Sequence, residues 1–241
     1  MKALIYTDEE KYEWVNRPIP QLEKNTDAIV RIHKTTICGT DLHILHGNVD
    51  TCKKGRILGH EGIGHIVSVG SEVSKFKVGG KVLISCITAC GKCEPCKQEQ
   101  AYGHCEDGGW QLGNTVDGCQ AEFVRIPHAD HSLYAFPHTN KNEDGFLMLS
   151  DILPTGLEVG VLAGKMKEGC TLAVVGVGPV GLATIMAATA YKPSKLIAID
   201  VDANRLNIAK SMGATHIIDN SNGTAVRNNS TNYIEGLTQN F

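Results

Sequence analysis

A glycine-rich loop between an apolar segment and a small-residue segment constrains the possible folds of this chain most strongly. Residues 176–181 have the spacing G-x-G-x-x-G. The apolar run 171–175 before them is typical of a buried parallel strand, and residues 180–191 after them have the composition of a helix that Pro193 ends. Strand, tight turn and helix in this order predict the first unit of a dinucleotide-binding α/β domain.

Residues 154–241 alternate predicted strands with predicted helices. Besides the loop unit itself, the predicted elements are helices at 157–166, 203–212 and 233–240 and strands at 195–200 and 215–219. This alternation is typical of one half of a doubly wound α/β domain with a parallel sheet. The Asn-, Ser- and Thr-rich segment 220–232 is predicted to be a loop.

The first 150 residues have a different character, with many glycines and short apolar or alternating runs. Residues 28–33, 65–69 and 81–85 are predicted strands. We therefore expect a mixed α/β protein, with an irregular, mostly β domain first and the α/β domain after it.

Each glycine of the loop has a predicted task. Gly176 would permit the tight turn, Gly178 would let the backbone approach a diphosphate, and Gly181 would let helix and strand pack closely. The diphosphate would then lie on the helix N-terminus. The loop residues predicted to bind a dinucleotide are Gly176, Gly178, Pro179, Val180 and Gly181. The alternative is a glycine turn that only joins strand to helix.

Asp200 ends the next predicted strand, nineteen residues after Gly181. A carboxylate there can accept hydrogen bonds from the adenosine ribose and repels a 2′-phosphate, so the sequence predicts NAD rather than NADP. Asp202 adds to this repulsion, and Arg205 is predicted to flank the adenine.

A second constraint comes from four cysteines at the spacing C-x2-C-x2-C-x8-C, namely Cys90, Cys93, Cys96 and Cys105. Four thiolates can surround one tetrahedral ion, so we predict a structural zinc in a lobe over 86–110. Disulfides need an oxidising compartment, and the acidic residues at 8–10 leave no room for a signal-peptide apolar region. An iron–sulfur cluster stays as an alternative, although a ferredoxin run would place its fourth cysteine three residues on and a proline behind it.

Composition narrows the class of partner. Apolar residues make up 42% of the chain, charged residues 20%, and the net charge is −3 with no basic run. Nucleic acid and anionic membranes are therefore poor partners, and no apolar stretch approaches the ~20 residues of a membrane helix. Free thiols in this number fit a reducing cytoplasm, so we predict a cytoplasmic protein. Four further cysteines are predicted to be ordinary small residues in or near the core, namely Cys52, Cys86, Cys119 and Cys170.

Cys38 and His60 are candidates for a second metal site. Thiol, imidazole and carboxylate groups are the ligands of catalytic zinc, which keeps one position open for water or substrate. Each residue also has an ordinary alternative. A single histidine is usually a hydrogen-bonded surface or core residue, and a single cysteine is usually a small hydrophobic residue.

Residues 59–73 read G-H-E-x-x-G-x5-G-x2-V, which resembles the signature of zinc-containing alcohol dehydrogenases, of the medium-chain dehydrogenase/reductase family. Residues 38–43, C-G-T-D-L-H, precede this segment, and the cysteine lobe and glycine-rich loop follow in the family's order. The resemblance implies a GroES-like catalytic domain over 1–153 and an NAD-binding Rossmann domain over 154–241.

The resemblance also implies a ligand set for the catalytic zinc. Cys38, His60 and Asp151 would bind the ion, and Glu61 would be an adjacent carboxylate that can enter the coordination sphere. Other members have Cys or Glu in place of Asp151, and an aspartate resembles bacterial secondary-alcohol dehydrogenases. The ordinary alternative for Asp151 is a helix cap, since aspartate before a helix caps well.

The implied reaction is oxidation of a primary or secondary alcohol to an aldehyde or ketone, with hydride transfer to NAD. The proton would leave through Thr40 and, by way of the cofactor ribose, His43. Asp41 would hold local structure, and Thr155 would contact the cofactor near the nicotinamide. The implied catalytic residues are Cys38, Thr40, His43, His60, Glu61 and Asp151. A polyol or threonine dehydrogenase shares every one of these motifs.

The chain departs from the family pattern in two places. The lobe has eight residues before its last cysteine where the family usually has seven, a difference that a surface loop absorbs. A Rossmann fold has about six strands and only three are predicted here. We therefore expect the C-terminal half of that domain to be absent, together with the edge strand that makes the family's homo-oligomers. A truncated zinc- and NAD-binding protein without turnover is the alternative to an active enzyme.

Overall fold

The computed structural model describes residues 1–98, 102–137 and 142–223. The chain forms two compact units, Met1–Asp151 and Ile152–Phe241. The helix predicted over 233–240 lies outside the described residues, as does most of the loop predicted over 220–232.

The first unit is built on a five-stranded antiparallel sheet. In spatial order its strands are β6 (Phe123–Ile126), β3 (Ala28–Thr35), β4 (Gly62–Val69), β5 (Lys81–Ile84) and β7 (Leu133–Ala135). Alternate residues of a strand face the same side of a sheet, and Val30, Ile66 and Ile84 are fully buried together on one side. The three strands predicted in this half are present, and β4 begins three residues earlier than expected.

A separate hairpin and several short helices complete the first unit. Strands β1 (Lys2–Asp8) and β2 (Lys11–Asn16) pair antiparallel. The α-helices are α1 (Gly39–Leu45), α2 (Glu94–Lys97), α3 (Ala129–Ser132) and α4 (Glu143–Leu147), and the 3-10 turns are Tyr102–His104 and Met148–Ser150. These short elements leave long connecting loops, and the loops carry most of the residues with ligand chemistry.

The second unit contains a three-stranded parallel sheet in the order β10 (His216–Asp219), β9 (Lys195–Asp200) and β8 (Thr171–Val175). Helices α6 (Pro179–Thr189) and α7 (Ala203–Ser211) connect these strands. Every residue of β9 is buried, as expected for the central strand of a parallel sheet. The alternation predicted from sequence is confirmed, and the fold is mixed α/β with a Rossmann-like sheet.

The helix predicted over 157–166 differs from the structure. It begins as α5 (Ile152–Thr155) and continues as a π-helical segment, Gly156–Leu162. Gly156 and Gly160 lie directly against α6, where an added Cβ would come within 2.7 and 2.5 Å of Thr184 atoms. The close approach of two helices at these glycines was not visible in the periodicity.

Among the described residues no single helix is long and apolar enough to cross a membrane. By length and composition alone, one bent pair meets the test, Glu143–Ser150 with Ile152–Leu162.

Candidate active site

Three separate parts of the first unit bring one cluster of ligand atoms together. Cys38 is the N-cap of α1, His60 and Glu61 directly precede β4, and Asp151 follows the 3-10 turn Met148–Ser150. One ligand atom from each of the four residues lies within 4.8 Å of all the others. The structure therefore brings together the four residues that the resemblance assigned to a catalytic metal.

The distances within this cluster fit a metal site. His60 Nε2 lies 3.0 Å from Asp151 Oδ2 and 3.8 Å from Glu61 Oε1, and Cys38 Sγ lies 3.7 Å from Asp151 Oδ2. Zinc bonds of ~2.0 Å to N or O and ~2.3 Å to S would separate ligand atoms by roughly 3.3–3.6 Å in a tetrahedron. Asp151 presents its carboxylate to this cluster.

The electrostatics of the cluster are those of a site that suits a cation. Burial alone would lower the pKa of His60, but hydrogen bonding to Asp151 and Cys38 outweighs it and raises the pKa to about 10. Burial raises the pKa of Glu61 to about 7, against the opposing charge of His60. A half-buried thiol and two carboxylates around one imidazole hold a proton where a divalent cation would compensate the same charges.

A hydrogen-bond network centred on Asp41 joins the two halves of the cluster. Its carboxylate accepts from the backbone N–H groups of Cys38 at 2.9 Å and Gly59 at 3.1 Å, and from Gln120 Nε2 at 2.9 Å. Burial raises the pKa of Asp41, against the stabilising N–H groups of Cys38 and Gly59. Because Gly59 precedes His60, the network fixes the Cys38 and His60 loops to each other. Sequence reasoning missed Gln120, which lies 79 residues from Asp41.

Thr40 and His43 lie on α1, three residues apart and hence on one side of the helix. The Thr40 hydroxyl is 3.6 Å from Cys38 Sγ, while His43 is exposed. Trp110 is a neighbour that the sequence did not single out. Its indole ring meets the imidazole of His60 edge-on, with the ring centroids 6.2 Å apart.

Cys86 differs from its sequence-based prediction as an ordinary small core residue. Its thiol lies 3.4 Å from Asp151 Oδ1 and its backbone N–H donates to Ser150 O at 3.0 Å. Burial and the charge of Asp151 raise the pKa of Cys86. Cys52 and Cys119 are buried as predicted.

The four lobe cysteines form a second group whose sulfur atoms all lie within 4.8 Å of one another. Cys90 and Cys96 are 4.0 Å apart, and Cys93 and Cys105 are 3.9 Å apart. With Zn–S bonds of about 2.3 Å, a tetrahedron places neighbouring sulfurs ~3.8 Å apart. The residues present therefore fit a closed tetrathiolate site.

The thiols of the lobe differ in how readily they lose a proton. Burial would raise the pKa of Cys90, but the N–H groups of Lys92 and Cys93 outweigh it and lower the pKa to about 6. Burial and hydrogen bonding to Cys93 raise the pKa of Cys96 to about 12. Cys90 is thus a ready thiolate, whereas Cys96 would need a nearby cation to become one.

The lobe is closed at its base by backbone pairing. Thr88 N–H donates to Gly109 O at 3.0 Å, and Gly109 N–H donates to Thr88 O at 2.8 Å. The helix α2 and the turn Tyr102–His104 bury no side chain, so among the described residues the lobe has little apolar core.

The glycine-rich loop of the second unit has the geometry that its sequence predicts. Gly176 has a φ of +83°, in the left-handed region that favours glycine. A Cβ on Gly181 would lie 2.0 Å from Gly176 O, so this close approach also requires glycine. Gly178 is the N-cap of α6 and Pro179 its first residue, which leaves the N–H groups at this helix end free of a side-chain cap. Val180 follows in the first turn.

Asp200 connects the end of β9 to the glycine-rich loop. Oδ2 accepts from Val177 N–H at 2.7 Å, and Oδ1 accepts from the N–H groups of Val201 at 2.7 Å and Asp202 at 2.9 Å. The N–H groups of Asp202 and Val177 lower the pKa of Asp200, so the carboxylate is ionised at neutral pH.

Three further residues of the second unit have defined places. Asp202 caps α7 through Asn204 N–H at 2.8 Å, while Arg205 Nη1 lies 4.0 Å from where a Cβ on Gly178 would be. The guanidinium therefore lies beside the loop. Thr155 is the last residue of α5.

Comparisons with known proteins agree with this architecture. A family model described as the alcohol dehydrogenase GroES-like domain matches residues 24–137. A medium chain reductase/dehydrogenase from Acremonium sp is 35% identical over 221 residues, which cover 89% of this chain and 74% of that protein. An alcohol dehydrogenase from Cupriavidus necator is 35% identical over 240 residues, covering 91% of this chain and 63% of that protein.

A solved alcohol dehydrogenase structure is also similar to this chain. The apo form of zinc dependent alcohol dehydrogenase 2 from Streptococcus pneumoniae has a TM-score of 0.90 and 50% identity, covering 99% of this chain and 66% of that one. The chain therefore belongs to the medium-chain dehydrogenase/reductase family, as one of its zinc-containing alcohol dehydrogenases. It spans 74% of the length of the relative from Acremonium sp and 50% of the length of zinc-type alcohol dehydrogenase B from Aspergillus flavus.

Proposed function

We propose that this chain carries the zinc and NAD sites of an alcohol dehydrogenase that oxidises a primary or secondary alcohol to an aldehyde or ketone by hydride transfer. The observation that carries the proposal is the cluster of Cys38, His60, Glu61 and Asp151, whose ligand atoms lie within 4.8 Å of one another. The imidazole and Glu61 are almost fully buried, with 3% and 4% of their side chains exposed.

The donor sets differ in the way that the two zinc roles require. Cys38, His60 and Asp151 would hold a catalytic ion, and the carboxylate of Glu61 would lie beside them as a possible fourth ligand. The four lobe cysteines would hold a structural ion. When bound, zinc supplies Lewis acidity toward an alcohol or carbonyl oxygen, and NAD supplies the hydride acceptor.

The first unit also offers a route for the proton. Thr40 Oγ1 lies beside Cys38 Sγ and could act as a proton relay, accepting the proton of an alcohol hydroxyl held at the cluster while it passes its own hydroxyl proton onward. His43, one turn further along α1 and exposed, can receive a proton and release it to solvent. We accordingly propose that residues 1–153 act as the catalytic domain.

Residues 154–241 are proposed to bind the cofactor. The free N–H groups at the start of α6 suit a diphosphate, and the ionised Asp200 suits the ribose hydroxyl of NAD and repels the 2′-phosphate of NADP. Arg205, beside the loop, can contact the adenine or a phosphate, and Thr155 is a candidate contact near the nicotinamide.

Metal analysis of three matched proteins tests the zinc proposal. We expect two zinc ions per chain in the wild type, one in Cys38→Ser and one in Cys90→Ser. NADH formation with a panel of primary, secondary and polyhydric alcohols then tests turnover, which Cys38→Ser should abolish. Unchanged zinc content in Cys38→Ser would contradict the assigned catalytic site.

A further inference from the structure

Cys86 makes two contacts with one short turn. It follows β5, and its backbone N–H donates to Ser150 O at 3.0 Å while its thiol lies 3.4 Å from Asp151 Oδ1. The thiol hydrogen has a carboxylate oxygen as its acceptor. The side chain of Cys86 is therefore hydrogen-bonded to Asp151, which the proposed function assigns as a metal ligand.

The two oxygens of Asp151 have different surroundings. Oδ2 faces His60 Nε2 at 3.0 Å and Cys38 Sγ at 3.7 Å, whereas Oδ1 faces the thiol of Cys86. An aspartate can present one oxygen or both to a cation, since the carboxylate rotates about its last side-chain bond. A hydrogen-bond donor on one oxygen restricts that choice.

We propose that Cys86 is a positioning residue, whose thiol donates to Asp151 Oδ1 and so keeps Oδ2 as the one oxygen turned toward Cys38 and His60. The inference rests on the proposed function, because it takes Asp151 as a metal ligand. It predicts ligation of the ion by a single oxygen of Asp151 and a loss of affinity when the donor is removed.

Geometry separates Cys86 from the ligands themselves. The group of four residues with mutually close ligand atoms consists of Cys38, His60, Glu61 and Asp151, and it does not include Cys86. Cys86 instead contacts the far oxygen of one member. Partners of this kind commonly change metal affinity about 10- to 100-fold when they are removed.

The test compares Cys86→Ala, which removes the donor, with Cys86→Ser, which keeps a hydroxyl donor. Cys52→Ala is the matched control, because Cys52 is another cysteine of the first unit whose thiol donates to an oxygen atom, in its case Gly113 O. Zinc affinity of the Cys38 cluster is measured by chelator competition, and the lobe cysteines provide a second site in the same chain as internal reference.

We expect Cys86→Ala to weaken zinc binding at the Cys38 cluster about tenfold, with the lobe site unchanged. Cys86→Ser should stay within about threefold of the wild type, and Cys52→Ala should match the wild type. In the cobalt-substituted protein, Cys86→Ala should also shift the ligand-field bands of the Cys38 site, which a loss of packing alone would leave in place.

The possible failures are distinguishable. Equal affinities and identical cobalt spectra for Cys86→Ala and wild type would overturn the positioning role while leaving the proposed function intact. Parallel losses at both metal sites would mean general destabilisation and would also overturn it. If Cys38→Ser and Asp151→Asn each bound as much zinc as the wild type, the proposed function and this inference would both be overturned.

Discussion

The two cysteine-containing clusters of the first unit are assembled in opposite ways. The lobe draws four identical ligands from sixteen consecutive residues, whereas the Cys38 cluster draws three kinds of ligand from positions 113 residues apart. The described part of the lobe has little apolar core, while His60 and Glu61 are buried in the sheet domain. Spacing alone thus specifies a local site, and a distributed site depends on the whole fold.

The largest expected effect comes from removing the lobe metal. With little core of its own, the lobe should owe its order to the ion, so Cys105→Ser should lower the free energy of unfolding by on the order of 4 kcal/mol. Hydrogen exchange should show loss of protection over residues 86–110.

Cys38→Ser is the matched variant for this prediction. The backbone around the Cys38 cluster is held by Asp41, so its amides should keep their protection when the metal is lost. Similar loss of protection around both clusters would remove the proposed distinction between them.

The hydrogen bonds of Asp41 allow the Cys38 cluster to be disturbed without changing the lobe. Asp41→Asn replaces an acceptor of three hydrogen bonds with a group that carries donors, which should cost about 2–3 kcal/mol of stability. Zinc should be lost from the Cys38 cluster and retained by the lobe. Urea unfolding together with metal analysis measures both effects. Loss of zinc from the lobe would show that the two sites are coupled.

The glycine-rich loop provides an intermediate case, since its spacing is local but Asp200 comes from the next strand. Asp200→Asn keeps an acceptor for the loop N–H groups and removes the charge. We expect the preference for NAD over NADP to fall about tenfold, because the repulsion of the 2′-phosphate is lost. Binding titrations with both cofactors measure this ratio. An unchanged ratio would refute the role of Asp200.

The smallest expected effect involves a carboxylate that belongs to neither cluster. Burial would raise the pKa of Asp130, but hydrogen bonds from Ser74 and Lys75 outweigh burial and hold this pKa below its usual value. A lowered pKa in the folded state stabilises the protein above the unfolded pKa of ~3.9, and this stability is lost as the pH falls through the folded pKa.

Asp130→Asn should therefore lower stability at neutral pH by about 1 kcal/mol, and its difference from the wild type should vanish in acid. Like Asp41, Asp130 accepts three hydrogen bonds, so it is also the matched control for Asp41→Asn. Urea unfolding at a series of pH values measures the difference. A gap that persists in acid would mean that the carboxylate charge has no part in the effect.

The same contrast explains what the sequence could predict. Strands β8 and β9 begin and end at the predicted residues, because each contains an unbroken run of four apolar residues between turn signals. The spacing of the four cysteines indicates the lobe, and the spacing of the glycines together with the strand and helix on either side indicates the dinucleotide loop. In both cases the informative residues are close together in the chain.

Contacts between distant residues could not be predicted in this way. Cys86 lies 65 residues from Asp151, and Gln120 lies 79 residues from Asp41. Neither has a motif around it, since the fold rather than the local sequence brings the partners together. The π-helical segment Gly156–Leu162 was missed for the same reason, because its glycines are explained by contact with α6.

The backbone pairing of Thr88 with Gly109 makes the cysteine lobe a module of variable length. Both flanks are fixed at the base, so an added residue between Cys96 and Cys105 changes the loop inside the lobe and does not displace β5 before it. Trp110, next to the closing residue and against His60, is likewise insulated from such changes. The lobe can therefore be longer or shorter in relatives while the imidazole of His60 keeps its position.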